Sequence, residues 1–441
     1  MYFLYSIHLS LHPSQLRYIL HRKLVHAPLH KHDFSALTPT QKTCFAYLDK
    51  TGRSYSAVIK ELHPEILLSV AIFYLILRGL DTIEDDGSIP AQKKAELLRD
   101  FKDVLEIEGW NFDGNREGEK DRDLLVNFHD VITEYKGLNL AHREILRDIT
   151  GKMGAGMAEY IAGISIETIP EYDEYCWYVA GLVGEGLTRL FAETGFVDPG
   201  LLDQTHLHRS MGLLLQKTNI IRDVHEDHCD GRRFWPEEIF REHVEVFDDL
   251  FKTEPCHRES ALNCTSHMVL NALSHVEDCL SYVLALNEPS IFNFCAIPQA
   301  MALATLELCL RNPALFERNL KISKGDALRI MSEVEGQGMH GFGGVILRYI
   351  RRIQERSVPK DPSFVELRTV CARIEKAIDT LLHSQNAKSR KYKDVGVGAD
   401  FQGAASQTLL SGKALAASTL MVAIGAFAIG HFYLSSGLSV S

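Results

Sequence analysis

The sequence has few features of a disulfide-stabilised or nucleic-acid-binding protein. Its nine cysteines are scattered, odd in number and never spaced as CxxC, which predicts reduced thiols facing a cytosolic compartment and neither a disulfide framework nor a cysteine zinc site. Positive charge is also scarce, since 58 acidic residues outnumber 47 basic residues for a formal net charge of −11. That balance argues against a nucleic acid as partner.

Signals for β-strands are missing as well. No stretch sustains the period-2 alternation of β-branched residues that a half-buried strand requires, whereas apolar runs with helical spacing recur. These runs cover residues 65–80, 172–193, 206–227, 266–286, 298–311 and 344–356. The chain is therefore predicted to be all-α, and its 441 residues fit one large helical domain with appended ends. No small-residue cleavage site follows residues 1–11, so no secretory signal is expected.

One acidic pattern, Asp-x-x-Glu-Asp, occurs twice, each time at the end of an apolar helical run. Positions i, i+3 and i+4 share one face of a helix, so each copy stacks three carboxylates. The carboxylates of such a patch repel one another unless a divalent cation offsets their charge. Mg²⁺ prefers oxygen ligands, and proteins commonly hold it between carboxylates and substrate phosphates. The predicted metal ligands are Asp81, Glu84 and Asp85 in the first copy and Asp223, Glu226 and Asp227 in the second.

Cationic and amide side chains accompany both copies. Arg78 lies one turn before the first copy, Gln216 and Asn219 share a helix face with the second, and Arg222 flanks it. A single copy is explained equally well by a structural Arg–Asp pair at a helix end. Two helices that carry the same arrangement favour a site where metal bridges protein and diphosphate.

The composition changes after residue 382. Residues 383–413 are rich in Ser, Gln, Gly and Lys, which predicts a flexible basic linker. Residues 414–434 are almost wholly apolar and match the roughly 20 residues of a membrane-spanning helix. They predict a tail anchor, with a C-terminal helix packed on the core as the alternative. The predicted organisation is an N-terminal extension (1–33), a helical catalytic domain (34–382), the linker and the anchor.

From about residue 45 to residue 349, the chain resembles the squalene synthase family of head-to-head prenyl transferases. The resemblance rests on five strings in the family's order: YLILRGLDTIEDD (74–86), YCWYVAGLVG (175–184), LQKTNIIRD (215–223), FWP (234–236) and FNFCAIPQ (292–299). It implies an isoprenoid synthase fold with a central cavity. It also implies that two farnesyl diphosphates are condensed to presqualene diphosphate, which is then reduced with NADPH to squalene.

The resemblance further implies roles for single residues, each of which is also explained as an ordinary core or surface side chain. Tyr175 is implicated in the proton step, for which a phenol beside released diphosphate is a plausible relay. NADPH binding has no GxGxxG signature to support it and rests on Lys321, Ser323 and Lys324. The implied substrate contacts are Arg53, Ser54, Tyr55, Arg78, Lys120, Gln216, Asn219, Arg222, Arg232 and Phe292.

Two departures from the family pattern are Trp177, where a histidine is common, and His225, where a bulky apolar residue is frequent. Glycines inside the helical runs predict close approach either of helices or of a long isoprenoid chain. The resemblance implies an enzyme of sterol biosynthesis anchored in the endoplasmic reticulum membrane with its catalytic domain facing the cytosol. The alternatives are a phytoene-synthase-like enzyme that condenses without reduction and a catalytically silent helical membrane scaffold.

Overall fold

The computed structural model describes residues 18, 26–52, 54–161 and 165–394, and the regular secondary structure within these ranges is entirely helical. This confirms the predicted all-α class. The first half contains α1 (Pro39–Gly52), α2 (Ser54–Ile59), α3 (Pro64–Asp85), α4 (Ala91–Val104), α5 (Arg122–Val126), α6 (His129–Gly137), α7 (Leu140–Tyr160), α8 (Ile169–Cys176), a π-helix (Trp177–Gly181) and α9 (Leu182–Glu193). The second half contains α10 (Gly200–Asp203), α11 (Thr205–Arg222), α12 (Val224–Cys229), α13 (Glu237–Phe240), a 3₁₀ turn (Phe247–Phe251), α14 (Pro255–Leu273), α15 (Val276–Leu284), α16 (Pro289–Cys309), a 3₁₀ turn (Pro313–Phe316), α17 (Lys324–Arg356) and α18 (Phe364–Asp394).

Helix α3 is a core helix that carries the first acidic copy. Pro64 occupies its first turn, where the missing N–H costs nothing, and the His63 side chain accepts a hydrogen bond from the Glu65 N–H at 3.3 Å. Within the described residues, α3 and α16 are long and apolar enough to cross a membrane, but 78% and 67% of their apolar windows are buried inside the protein. The prediction of a buried core helix at residues 65–80 is confirmed.

Glycines let the helices around this core approach closely. A Cβ on Gly154 of α7 would lie 2.0 Å from the Leu98 carbonyl oxygen of α4, and one on Gly184 of α9 would lie 2.2 Å from the His208 carbonyl oxygen of α11. Gly212 of α11 meets the Ala180 carbonyl oxygen in the same way, at 2.3 Å. Of the two explanations for these glycines, the structure supports helix packing.

The π-helix interrupts the helical run predicted at residues 172–193. A wider turn at Trp177–Gly181 separates α8 from α9, and it lies where α11 presses against the backbone of Ala180. The Trp177 ring covers the space that a side chain at position 181 would need, since a Cβ there would lie 2.2 Å from Trp177 Cε3. Such single π turns are rare and often adjoin functional residues.

The described residues as far as 382 form one compact unit. Helix α18 continues as far as Asp394, into the segment predicted as a linker. The predicted anchor at residues 414–434 and most of the N-terminal extension lie outside the described residues, so both stay predictions.

Candidate active site

The six predicted metal ligands lie at two helix ends. The first copy occupies the last turn of α3, while the second begins at Asp223, where α11 ends and α12 starts. Asp223 has non-helical dihedral angles (φ −96°, ψ 8°), so the run predicted at 206–227 is two helices that meet at this residue. A short Asp side chain favours such a break because it bonds nearby groups in non-helical conformations, and here it contacts the Arg222 guanidinium.

The end of α12 places Arg232 between the two copies. Gly231 has φ of 72°, its N–H donates to the His228 carbonyl at 3.0 Å, and the Arg232 N–H donates to the Asp227 carbonyl at 2.7 Å. This is a Schellman motif, which requires the left-handed conformation that glycine adopts without steric cost. The motif ends α12 and directs the Arg232 side chain back across that helix.

The Arg232 guanidinium joins the two acidic copies directly. Its Nη1 lies 3.0 Å from Asp85 Oδ1, and its Nη2 lies 3.0 Å from Asp227 Oδ1. A third contact reaches Asp230 Oδ2 at 3.4 Å. The two motifs, far apart in sequence, therefore face each other across one cation.

Other polar groups contact further residues of the two copies, through either the side chain or the backbone. Arg78 lies 3.5 Å from Asp81 and 2.6 Å from Asp121, with which it forms its shorter ion pair. Lys94 Nζ donates to the Glu84 backbone carbonyl at 2.6 Å. On the second copy, the Asn319 amide donates to Glu226. The exposed Lys120 contributes positive potential at Asp81.

The site holds more negative charge than these cations balance. Burial, reinforced by neighbouring carboxylates, raises the pKa of Asp81 to about 6 and that of Glu84 to about 8. The same cause raises the pKa of Asp227 to about 7, although Arg232 opposes the shift. Carboxylates crowded in this way favour protonation unless a cation joins them. An all-oxygen donor set with this charge excess fits a hard divalent ion such as Mg²⁺.

Tyr175 is buried beside this acidic cluster, in the last turn of α8. Its ring stacks on Phe234 with centroids 5.1 Å apart and meets the Tyr160 ring edge-on at 5.0 Å. Burial, followed by the negative charge of Glu84, raises the pKa of Tyr175 well above its usual value. Its hydroxyl is therefore neutral in the resting protein.

Phe234 connects Tyr175 to Arg232, because its other neighbour is the Arg232 guanidinium, 5.9 Å from the ring centroid. The adjacent Trp235 is 1% exposed, and its indole N–H donates to the Ile220 carbonyl of α11 at 3.2 Å. The segment from Arg232 to Trp235 is thus fixed at both ends against the helices that carry the second acidic copy.

The remaining predicted substrate residues surround this cluster to different extents. Tyr55 on α2 is exposed and lies near the Tyr74 ring, with centroids 6.3 Å apart. On α11, Gln216 is half-buried and Asn219 is exposed. Phe292 on α16 is buried and meets Phe342 edge-on at 6.3 Å. Arg53 and the side chain of Ser54 lie outside the described residues.

The residues predicted to bind NADPH lie at the start of α17. Ser323 is its N-cap and accepts a hydrogen bond from the Asp326 N–H at 3.0 Å, so its hydroxyl already serves the helix. Lys321 and Lys324 are exposed on either side of it. Asn319, which holds Glu226, places this segment beside the second acidic copy.

Sequence reasoning missed several residues of the site. Asp121, Asn319 and Lys94 each hold a predicted ligand or its cation, yet each is a common surface residue type in its local sequence. Only Asp121 has a local signal, because it adjoins Lys120 in an alternating charged run. Their contacts join distant segments and leave no pattern in the sequence.

Three comparisons with known proteins agree with this geometry. The family model "Squalene/phytoene synthase" matches residues 48–326. A probable squalene synthase of Neurospora crassa is 52% identical over 86% of this chain and 79% of its own length, and the squalene synthase of Saccharomyces cerevisiae is 42% identical over 85% of each. The solved structure of TcSQS with the ligand E5700 aligns with a TM-score of 0.74 at 35% identity, covering 78% of this chain and 99% of that one.

Proposed function

The chain belongs to the squalene/phytoene synthase family and is a squalene synthase, and from this we propose that it joins two farnesyl diphosphates head to head and reduces the product with NADPH. The observation that supports this chemistry most directly is the pair of acidic helix ends that share Arg232 beside the buried Tyr175. A phytoene-synthase-like reaction without reduction is not favoured, because the curated relatives from 42% to 52% identity are squalene synthases.

Magnesium would be held by the six acidic residues of the two copies. The raised pKa values of Asp81, Glu84 and Asp227 support this assignment, since burial and neighbouring carboxylates make their ionised forms unfavourable unless a further cation joins them. When bound, the metal supplies the Lewis acidity that draws electron density from the diphosphate leaving group.

The chain's own cations bind and orient the diphosphates. Arg78 and Arg222 each contact one acidic copy and Arg232 contacts both, so all three lie where phosphate oxygens would meet the metal-binding face. A guanidinium binds phosphate through two parallel hydrogen bonds, which fixes orientation as well as charge. Arg53, Ser54, Tyr55, Lys120, Gln216 and Asn219 complete the proposed substrate contacts.

Tyr175 relays the proton that leaves when the cyclopropane closes. Because burial keeps its phenol neutral, Tyr175 Oη accepts the substrate proton only as its own proton passes to a diphosphate oxygen. The C–H electron pair forms the new C–C bond, and the released diphosphate ends with the proton. Such positioned transfer typically contributes about 10²–10⁴-fold to a rate.

The apolar substrate chains and NADPH occupy different surroundings. Phe292 offers an aromatic wall whose ring face stabilises a passing carbocation. Lys321 and Lys324 would hold the cofactor phosphates at the start of α17, with Ser323 maintaining that helix end. When bound, NADPH supplies the hydride of the reductive second half-reaction.

Product analysis with and without the cofactor tests this proposal. Purified protein given farnesyl diphosphate, Mg²⁺ and NADPH should yield squalene by gas chromatography. Without NADPH, presqualene diphosphate should accumulate, because only the second half-reaction consumes hydride. Squalene made at an undiminished rate without cofactor would refute the reductive step, and failure to bind Mg²⁺ and substrate would favour a silent scaffold.

We further propose that residues 414–434 anchor the protein in the endoplasmic reticulum membrane, with the catalytic domain in the cytosol. The support is the length and apolarity of that segment. Because α18 continues to Asp394, a chain truncated after Asp394 keeps the whole helix and should be soluble and active. A truncated chain that still sediments with membranes would reveal a second membrane-binding surface.

A further inference from the structure

Two histidines and a glutamate converge at a place that the proposed reaction does not use. Glu242 and His243 follow α13 directly, and His267 lies in the middle of α14. One ligand atom from each of these three residues lies within 4.8 Å of the others. None of the three belongs to the acidic cluster or to its cations.

The spacing of this group, the Glu242–His243–His267 cluster, is close to that of a metal site. Glu242 Oε2 and His267 Nδ1 are 3.4 Å apart. A tetrahedral zinc ion with bonds of about 2.0–2.1 Å separates its ligand atoms by about 3.3 Å, so this pair already has the required distance. The His243 nitrogen would need to move inward by no more than about 1.5 Å.

The chemical state of His243 suits metal ligation. Burial, together with the neighbouring His267, lowers the pKa of His243, which keeps its ring neutral and one nitrogen lone pair free. Among the described residues, His243 Nε2 is buried without a hydrogen-bond partner. A buried nitrogen left unpaired carries a free-energy cost that a metal bond would remove.

A cavity of about 430 Å³ that is largely open to solvent lies beside His267. His267 is part of its wall, and Asn271, Ser274, Glu366 and Arg373 add polar groups from α14 and α18. Three protein ligands with an open fourth position is the arrangement of an accessible zinc site, where water or an anion completes the coordination.

We propose that Glu242, His243 and His267 bind one transition-metal ion of the zinc class, with the fourth coordination position served from the adjoining cavity. Two imidazoles select such an ion over Mg²⁺, which prefers oxygen ligands. The ion ties the end of α13 to α14.

Cobalt binding provides the test, because Co²⁺ in a tetrahedral zinc site absorbs visible light strongly. The full-length protein in detergent is titrated with Co²⁺ in excess Mg²⁺, which occupies the acidic cluster. One equivalent should give the tetrahedral spectrum, and Zn²⁺ should displace the bound Co²⁺.

Glu242→Gln changes an exposed carboxylate that is a proposed ligand, and it should weaken Co²⁺ binding at least about tenfold. Loss of even an outer-shell partner typically weakens metal affinity 10–100-fold. His267→Ala should abolish the spectrum.

Two controls make the outcome decisive. His257→Ala alters another histidine of α14 outside the cluster and should leave the spectrum intact. Glu242→Gln should keep wild-type squalene synthesis with Mg²⁺, which shows that it folds. The proposal fails if wild-type protein gives no tetrahedral spectrum, or if the spectrum survives in His267→Ala. It also fails if the spectrum disappears instead in His26→Ala, which alters the other described His–carboxylate group, with Glu61 and Glu335.

Discussion

Arg232 carries the positive charge that both acidic copies share in the resting protein. A guanidinium between carboxylates forms charge-assisted hydrogen bonds that are stronger than neutral ones. Here one of the two carboxylates, Asp85, is 147 residues away from Arg232 in sequence. The same carboxylates are proposed metal ligands. Metal and guanidinium therefore neutralise the same charges, and each should contribute less to the stability of the fold when the other is present.

Replacing Arg232 with Ala should make the protein depend on Mg²⁺ for stability. Without Mg²⁺, the loss of hydrogen bonds to charged groups should lower the free energy of unfolding by about 1–3 kcal/mol. Adding Mg²⁺ should raise the melting temperature of the variant more than that of wild type, as measured by differential scanning fluorimetry. Arg241→Ala, which removes an exposed pair with Glu237, is the matched control. Equal Mg²⁺ shifts in all three proteins would contradict shared neutralisation.

Tyr175→Phe should block formation of presqualene diphosphate and leave substrate binding intact. The ring still stacks on Phe234, so the fold persists, while the proton relay is lost and the first half-reaction should slow by about 10²-fold or more. Single-turnover assays with labelled farnesyl diphosphate measure this step. Tyr160→Phe keeps the neighbouring ring and serves as control. Normal accumulation of the intermediate in Tyr175→Phe would assign the proton step to another group.

At the scale of elements, the glycine contact between α11 and the π-helix aligns the two halves of the site. Tyr175 precedes the π-helix, and Asp223 ends α11, so the distance between these helices sets the distance between the tyrosine and the second acidic copy. Gly212 allows that separation, since a Cβ at this position would overlap the Ala180 backbone.

Gly212→Ala should therefore impair both stability and turnover. Its Cβ would fall 2.3 Å from the Ala180 carbonyl oxygen, and backbone cannot yield as a side-chain tip can, so overpacking should cost about 1–3 kcal/mol. Gly344→Ala in α17, where a Cβ meets nothing within 4 Å, should instead stabilise by up to about 1 kcal/mol. Urea unfolding and kcat are measured for both. A neutral Gly212→Ala would show that the helices can separate without consequence.

The sequence predicted the elements whose cause is local. The apolar run of α3 and the stacked carboxylates at its end follow from helical periodicity alone, and both are present. The π-helix was not predicted, because it lies where α11 meets a segment distant in the chain. The break at Asp223 was not predicted either, because the helical spacing on both sides of it fits one continuous run. Likewise, the FWP string identified Trp235 as part of the family resemblance. The hydrogen bond from its indole to the Ile220 carbonyl, however, is evident only in the folded protein.

For the whole molecule, buried histidines set the acid limit of stability. Burial lowers the pKa of His142 and His208, and burial together with Lys217 and Arg209 lowers that of His275 to about 3. His275 also faces Ser210, whose hydroxyl lies 3.2 Å from its Nδ1 and bonds Asp278. A histidine that stays neutral in the folded state but titrates near 6.5 when unfolded stabilises the fold above pH 6.5, and that stability is lost as the pH falls toward the folded pKa.

The melting temperature measured in saturating Mg²⁺ should accordingly decrease as the pH falls from 7 to 5. Mg²⁺ is included because the raised pKa values of Asp81, Glu84 and Asp227 would otherwise stabilise the fold as the pH falls through the same range. At pH 5.5, a histidine of this kind contributes about 1.4 kcal/mol less to stability than at neutral pH. His275→Asn should flatten the decrease, whereas His257→Ala should not change its slope. Calorimetry in detergent across this range decides between them. A wild-type melting temperature independent of pH would show that these rings are accessible to protons in the folded state.

The Schellman turn at Gly231 and the buried indole of Trp235 have a consequence for how related sequences can diverge. Both ends of the short connection between them are fixed, one by backbone hydrogen bonds and the other inside the core. An inserted or deleted residue there would turn Arg232 and Phe234 away from the acidic cluster. We therefore expect evolution to change this connection by substitution alone and to accept changes of length in exposed connections that carry no such double constraint.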